Sequence, residues 1–434
     1  MKRWAAIVAL VVAVGGLVAG GEPPAALRQG LFGISGIMPD LTYLDELPLD
    51  VATSGFWIGA SEGFLGGDKE ALHTRQMKAF VDRGITPVAT FYLGAGGADT
   101  ARYAEEIVRH YTSGQGAIDV GAPVVYWELG DEENGGWGTS CDPEEYARRV
   151  AVIAPAIRRG CPDCRIVMGG LLDGPNMGEW ALAPYLEAFL DAGGGEWIDV
   201  YAFHYYGLAL PHPAWPGAEL YDTAIDHTAA MRRILAAHGL ADRPIWVTET
   251  STFSGRVGEV EQTESDQAAD LVKRYLLLWS LGVETVQWCY LTEPQYEGTG
   301  LGFFDQSGLV YDGEGPYDRG AGTAKRAYSA YVHMVRRLRD ATLLEREASE
   351  GVTLVRLDVG GEAVSVLWQD PWVRQGAVWV IPDGAVTVED LCGAPLGGFE
   401  EAFRVDLAIE PVYLLGPVRG VSTAAPALQS TASL

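Results

Sequence analysis

At 434 residues, with 48% hydrophobic and 21% charged residues, the chain is long enough for one large domain and a small one and apolar enough to bury a core. Its formal charge of −27 excludes a general binder of nucleic acid or anionic membrane, because such a surface repels polyanions. Five cysteines, an odd number, exclude a disulfide framework that uses them all within one chain.

Lys2 and Arg3 precede an apolar run, residues 5–18, that ends in Ala19, Gly20 and Gly21. A basic start, an apolar stretch and small residues read as a secretory signal over residues 1–21. The run is short for a membrane span, and no cysteine follows it to carry a lipid. The expectation is a secreted or periplasmic protein with no membrane attachment once the signal is removed.

Strands and helices then alternate. Residues 30–37 and 51–60 read as strands one and two. A helix over 69–83 stops at Gly84, and 85–92 is strand three. A helix over 100–111 is followed by strand four, 124–127. Asp142, Pro143 and two glutamates then form a cap, a first-turn proline and an acidic first turn for a helix over 143–159. Strand five is 165–169, with a helix at 181–192. Strand six is 198–204, with a helix at 223–238. Strand seven is 245–248, with a helix at 264–281. Strand eight is 285–290, and a last helix covers 323–338. Eight βα units predict an α/β fold, a (β/α)8 TIM barrel, over residues 28–340. An open doubly wound sheet would want a glycine fingerprint after strand one. Gly33, Ile34, Ser35 and Gly36 do not make one, and the chain has no P-loop and no HExxH.

From residue 341 the pattern changes to short strands at 352–359, 363–368, 377–381, 405–408 and 412–415, punctuated by glycine, proline and aspartate. This predicts a small β-sandwich domain over 341–417. Residues 418–434, rich in Ala, Ser and Thr, read as a disordered tail. Cys161 and Cys164 are spaced to close a small disulfide in an oxidising compartment. Cys141 is held away from them by a helix about 25 Å long, at ~1.5 Å per residue.

Two carboxylates stand at strand ends. Residues 124–136, VVYWELGDEENGG, run from an apolar strand into Glu128, Asp131, Glu132 and Glu133. Alone this reads more readily as a solvated acidic loop. Residues 244–252, PIWVTETST, repeat the pattern with Glu249. Strand ends of a barrel open onto one face, so Glu132 and Glu249 would oppose each other across a cleft. A carboxyl pair of that kind cleaves glycosidic bonds when one member is protonated and the other ionised.

The stretch from Trp127 to Glu132, WELGDE, resembles the strand-four motif W-E-x-G-N-E of the retaining (β/α)8 glycoside hydrolases, the clan that includes cellulases, mannanases and β-xylosidases. Trp246, Val247, Thr248 and Glu249 are similar to its strand-seven nucleophile motif, and His204, Tyr205 and Tyr206 to its strand-six H-x-Y. The likeness covers residues 30–340. It implies Glu132 as general acid/base, Glu249 as nucleophile, and retention through a covalent glycosyl-enzyme. It implies that Tyr206 hydrogen-bonds Glu249, that His204 lines the site, and that Trp288 stacks on a sugar face. Asp131 stands where the clan has an asparagine that contacts the sugar 2-hydroxyl, and it brings a like charge beside Glu132. Trp57 occupies the strand-two region where many members carry an arginine, and is expected to contact substrate.

Tyr205 is expected in the packing, Glu128 as support and Glu133 toward solvent; Glu293 and Asp305 sit on the loop after strand eight, where binding of sugar hydroxyls is the minority reading. Trp137 and Trp215 lie on loops where aromatics either stack on sugars or pack. No cofactor is expected, and no metal-ligand cluster is apparent. The expected partner is an oligo- or polysaccharide. The competing reading is a carbohydrate-binding protein on the same barrel with catalysis lost.

Overall fold

The structure, a computed structural model, describes residues 30–36, 41–55, 58–94, 97–136, 140–172, 177–207, 222–370 and 374–425. The expected signal, Trp57, Trp137, Trp215 and the chain beyond residue 425 lie outside the described residues.

Eight parallel strands form the barrel: β1 (Phe32–Ser35), β2 (Val51–Thr53), β3 (Thr86–Tyr92), β4 (Tyr126–Leu129), β5 (Arg165–Met168), β6 (Tyr201–Tyr205), β7 (Ile245–Thr250) and β8 (Thr285–Cys289). They pair in the order β5, β4, β3, β2, β1, β8, β7, β6. Bridges from Val167 to Val200 and from Leu171 to Phe203 close the ring between β5 and β6. The predicted barrel is therefore present. Its strands are apolar on both faces because one face fills the interior and the other meets helices. Val51, Val88, Tyr126, Val167, Val200, Ala202 and Trp246 plug the lower interior.

The outer layer comprises α1 (Asp68–Val81), α2 (Ala98–Ser113), α3 (Gln115–Val120), α4 (Pro143–Gly160), α5 (Leu182–Asp191), α6 (Asp222–Ala237), α7 (Glu264–Ser280) and α8 (Arg326–Leu338). The side chain of Asp142 caps α4 by accepting from the Glu145 N–H over 2.8 Å, as its position ahead of Pro143 predicts. Thr263 and Asp266 form a capping box on α7. No helix among the described residues is long and apolar enough to cross a membrane.

β7 is irregular where it matters. Phe203 pairs with Val247, but the next residue, His204, pairs with Glu249. The extra residue, Thr248, is a bulge, a device that re-aims a side chain at a strand end. A short hairpin, Gly255–Val257 with Val260–Gln262, follows β7.

The C-terminal region is two antiparallel sheets. The larger runs Ala341–Ser349, Val352–Val359, Glu362–Gln369, Val412–Leu415, Val386–Glu389 and Pro395–Phe399; the smaller runs Phe403–Val405, Val378–Pro382 and Val418–Ser422. Leu354, Leu367, Val380 and Leu414 pack between them, which makes the predicted sandwich. Residues 418–422, expected in a disordered tail, form a strand. Val418–Ser422 pairs with Val378–Pro382, and a register shift between Gly420 and Val418 brings both Val418 and Val421 to the apolar interior. The last described strand pairing also replaces the strand expected at 405–408 with Phe403–Val405.

The other face of the larger sheet lies against the barrel. Val355, Leu357, Val364, Val366 and Tyr413 belong to the same apolar cluster as Met334, Val335 and Leu338 of α8. Arg326 binds both oxygens of Glu410 over 2.6 Å, and Arg337 binds both oxygens of Glu389 over 2.8 Å. Cys161 and Cys164 form the expected disulfide, with Cα atoms 5.4 Å apart, while Cys141, Cys289 and Cys392 are free thiols.

Candidate active site

The chain leaves β4 through Gly130, whose φ of 87° is left-handed. A Cβ there would meet the Glu133 carboxyl at 2.4 Å, so the turn requires glycine. Glu132 also has a positive φ, 51°, which costs a non-glycine residue on the order of 1 kcal/mol or more. The conformation is held from both sides. The Glu132 N–H donates to the Gly170 carbonyl over 3.2 Å, and the Glu132 carbonyl accepts from the Gly135 N–H over 2.7 Å. Glu133 is fully buried and pairs with Arg149 of α4 at 3.8 Å. The expectation that it faces solvent is corrected, because the turn splays consecutive side chains to opposite sides.

Strand parity sets the rest. On β6, Phe203 and Tyr205 turn outward, and Tyr205 lies beneath the Arg274 guanidinium at 4.8 Å. His204 and Tyr206 therefore turn inward. His204 is buried and lies flush against Gly170, where a Cβ would sit 2.1 Å from the ring. Its Nδ1 is 2.7 Å from Oε1 of Glu132 and 3.7 Å from Oε2 of Glu249. Those two legs bound the separation of these oxygens at about 6.4 Å. The Tyr206 hydroxyl donates to Oε2 of Glu249 over 2.5 Å. His204 Nε2 faces Oδ1 of Asp131 at 3.8 Å. The structure thus brings together Glu132, Glu249, Asp131, His204 and Tyr206.

Charge in the cleft is uneven. Burial alone would lower the pKa of His204, but Glu249, Glu132 and Asp131 outweigh it and raise it to about 10. The ring is an imidazolium at neutral pH. Burial raises the pKa of Glu249; His204 opposes this, Glu132 adds to it, and the Tyr206 hydrogen bond opposes it, with a net rise. Burial and Glu249 hold Asp131 well above the ordinary aspartate value, so the like-charge coupling read from the sequence falls on Asp131. Glu128 lies deeper, buried, and accepts from the Thr90 hydroxyl over 3.0 Å. Burial lifts it to about 7 despite the nearby imidazolium.

Trp288 is not on the cleft. It is fully buried in the layer between barrel and helices, and its Nε1 donates to the Ser307 carbonyl over 3.2 Å. Its neighbour Gln287 points inward, accepting from the Thr53 hydroxyl over 2.7 Å, so alternation sends Trp288 outward. It offers no face to a sugar. The aromatic surface beside the carboxylates is a different set. Tyr206 meets the edges of Phe303 and Phe304, with centroids 5.9 and 5.4 Å away, and Phe304 touches Tyr290 and the exposed Tyr296 at 6.1 and 5.4 Å. The spacing of Tyr290, Tyr296, Phe303 and Phe304 after strand eight was the signal for it in the sequence.

Two candidate sugar contacts are structural. Glu293 is buried, and its Oε1 pairs with the Lys325 ammonium at 2.5 Å. Asp305 accepts from the backbone N–H groups of Glu297, Thr299 and Gly300. Burial would raise its pKa, but those donors hold it below the usual value.

Asp131, His204 and Glu249 converge closely enough to be considered as metal ligands, as do Glu293, Asp312 and Asp318. His204 Nδ1 is taken by Glu132 at 2.7 Å, and Lys325 already neutralises Glu293.

No protein-family model matches the chain, and no curated protein is similar to it in sequence. Solved structures do match. A family 39 glycoside hydrolase from Bacteroides cellulosilyticus WH2 has a TM-score of 0.67 at 17% identity, over 91% of this chain and 81% of that one. A glucosidase from Croceicoccus marinus gives 0.63 at 17%, over 91% and 97%. A family 39 β-xylosidase from Caulobacter crescentus gives 0.60 at 15%, over 91% and 97%. The barrel with its appended β-domain is thus the fold of glycoside hydrolases of this type.

Proposed function

We propose that the chain is an exported retaining glycoside hydrolase that cleaves β-glycosidic bonds. The observation that carries this reading is the bracketing of one ring nitrogen, His204 Nδ1, by Glu132 at 2.7 Å and Glu249 at 3.7 Å, with Tyr206 bonded to Glu249. An upper bound of about 6.4 Å between those oxygens is compatible with the ~5–5.5 Å carboxyl separation of retaining pairs.

In the first step Glu249 attacks the anomeric carbon while Glu132 protonates the departing oxygen. A glycosyl ester on Glu249 and the free leaving alcohol result. In the second, Glu132 takes a proton from water, the water attacks the same carbon, and Glu249 is released with the sugar's configuration retained. The Tyr206 hydrogen bond favours the ionised form of Glu249 and aims it. His204, an imidazolium bonded to Glu132, holds a proton one hydrogen bond from the leaving group. The Tyr206, Tyr290 and Phe304 rings supply the apolar side on which a sugar face rests. Export is supported by the signal pattern at residues 1–21 and fits the Cys161 to Cys164 disulfide, a bond of oxidising compartments.

The test is hydrolysis of a panel of aryl β-glycosides and of plant and microbial polysaccharides by wild type beside Glu249→Gln. The expected result is activity in the wild type that falls at least ~10³-fold in the variant. Activity surviving the substitution would move the nucleophile elsewhere. Glycan binding with no cleavage by the wild type would favour a binding protein on this barrel.

A further inference from the structure

Asp131 differs from the other carboxylates of the cleft. Glu128 is held by Thr90, Glu132 by His204 and Glu249 by Tyr206. Asp131 has no hydrogen bond among the described residues; its contact is His204 Nε2 at 3.8 Å, beyond hydrogen-bond reach. That ring nitrogen is itself buried with no hydrogen-bond partner. The Asp131 side chain stays 22% exposed, and its carboxylate lies within 4.8 Å of that of Glu249. It is an acceptor left open beside the reacting centre.

The charge around it is also incomplete. Asp131, Glu132 and Glu249 lie within 4 Å of one cation, His204, and no lysine or arginine among the described residues forms an ion pair with any of the three. Glu249 and Glu132 both work against ionisation of Asp131 in the free site. A cation arriving with the substrate would relieve that repulsion.

Where such a cation sits on a sugar follows from the ring. Glu249 attacks C1. The two ring atoms bonded to C1 are the ring oxygen, which carries no substituent, and C2. A carboxylate flanking the nucleophile meets the substituent on C2. We infer that the cleft selects a glycoside with an ammonium group at C2, a 2-amino-2-deoxy-β-glycoside, and that Asp131 reads that group by pairing with it. This rests on Glu249 acting as the nucleophile. The pairing also helps the reaction. A positive charge at C2 opposes the positive charge that develops at C1, and a carboxylate alongside offsets it. At longer range, a protein of net charge −27 draws in a polycationic glycan built of such units.

The experiment uses aryl β-glycosides in matched pairs that differ at C2 alone, amino against hydroxyl, in the gluco, galacto and manno configurations. They are assayed at a pH where the amine is protonated, with wild type, Asp131→Asn, Asp131→Ser and Glu249→Gln. In at least one pair the wild-type kcat/KM should favour the amino member by about tenfold or more. Asp131→Asn should lose the amino member about 30-fold or more beyond whatever it loses on the hydroxyl member, reversing the preference. Asp131→Ser should lose it too, and Glu249→Gln should abolish both. A wild type that favours the hydroxyl member in every pair, or Asp131 variants that lose both members equally, would overturn the assignment. If the wild type cleaves neither member, calorimetric binding of the matching methyl glycosides separates the two ideas. Ammonium-dependent binding lost in Asp131→Asn would sustain Asp131 as the reader while the hydrolase reading fails. Binding indifferent to the ammonium would remove Asp131 from that role.

Discussion

The hydroxyl of Tyr206 donates to Oε2 of Glu249 over 2.5 Å, from the strand neighbouring that of its acceptor. The bond favours the ionised form of Glu249 against burial and the charge of Glu132, which both push its pKa up. Tyr206→Phe removes one of the two influences that pull it down. The acidic limb of the kcat/KM profile is expected to move to higher pH, on the order of one unit, with kcat at the optimum down about 10- to 100-fold. A pH–rate profile of the variant measures both, and an unmoved acidic limb would disconnect Tyr206 from the nucleophile.

Gly170 allows His204 its place. An added methyl would sit 2.1 Å from the ring, so Gly170→Ala must displace the imidazolium from Glu132. Activity is expected to fall by about 100-fold, the scale of an ångström-sized misplacement, with the far-ultraviolet circular dichroism of the wild type retained. Full activity would mean that the position of His204 is not critical.

Glu128 makes stability depend on pH. Its carboxyl rises from an ordinary value near 4.5 to about 7 on folding. An acid whose folded pKa is raised contributes its stability below the unfolded value, and that contribution is lost as pH climbs through the folded value. Glu128→Gln keeps an acceptor for Thr90 and removes the titration. The variant should match the wild type near pH 4 and exceed it above pH 7, by an amount on the order of 1–3 kcal/mol. Urea unfolding at the two pH values gives the comparison; a pH-independent difference would contradict it.

The disulfide closes a very short loop at the end of α4. Loop-closure entropy for such a loop is about 2 kcal/mol. Replacing Cys161 and Cys164 together with serine should lower stability by about that amount and leave kcat within about twofold, since the pair lies outside the residues that form the cleft. A larger loss of activity than of stability in that double variant would argue that the disulfide shapes the site.

Much of this was readable from residue order. Apolar runs ending on Glu132 and Glu249, Asp131 next to Glu132, and the alternation through His204, Tyr205 and Tyr206 pointed to all five clustered side chains on one barrel mouth. Trp288 was misread for a physical reason. Residues 285–289, TVQWC, are buried on both faces, so nothing in the run marks which residues look inward; Gln287 settles it through a hydrogen bond to Thr53, far away in sequence. The bulge at Thr248 arises from pairing with strands on both sides and leaves no local mark. Glu133 looked like a surface acid until α4 supplied Arg149. The strand Val418–Ser422 was hidden by a composition shared with the residues after it.

The sandwich shares one continuous apolar interior with α8, through Val364, Val366 and Tyr413 against Met334, Val335 and Leu338. The two layers are accordingly one cooperative unit rather than interchangeable modules. A chain cut after Asp340 would turn an apolar flank of α8 to water and invite aggregation, so the barrel cannot be trimmed to its catalytic half. The intact protein is expected to melt in a single calorimetric peak.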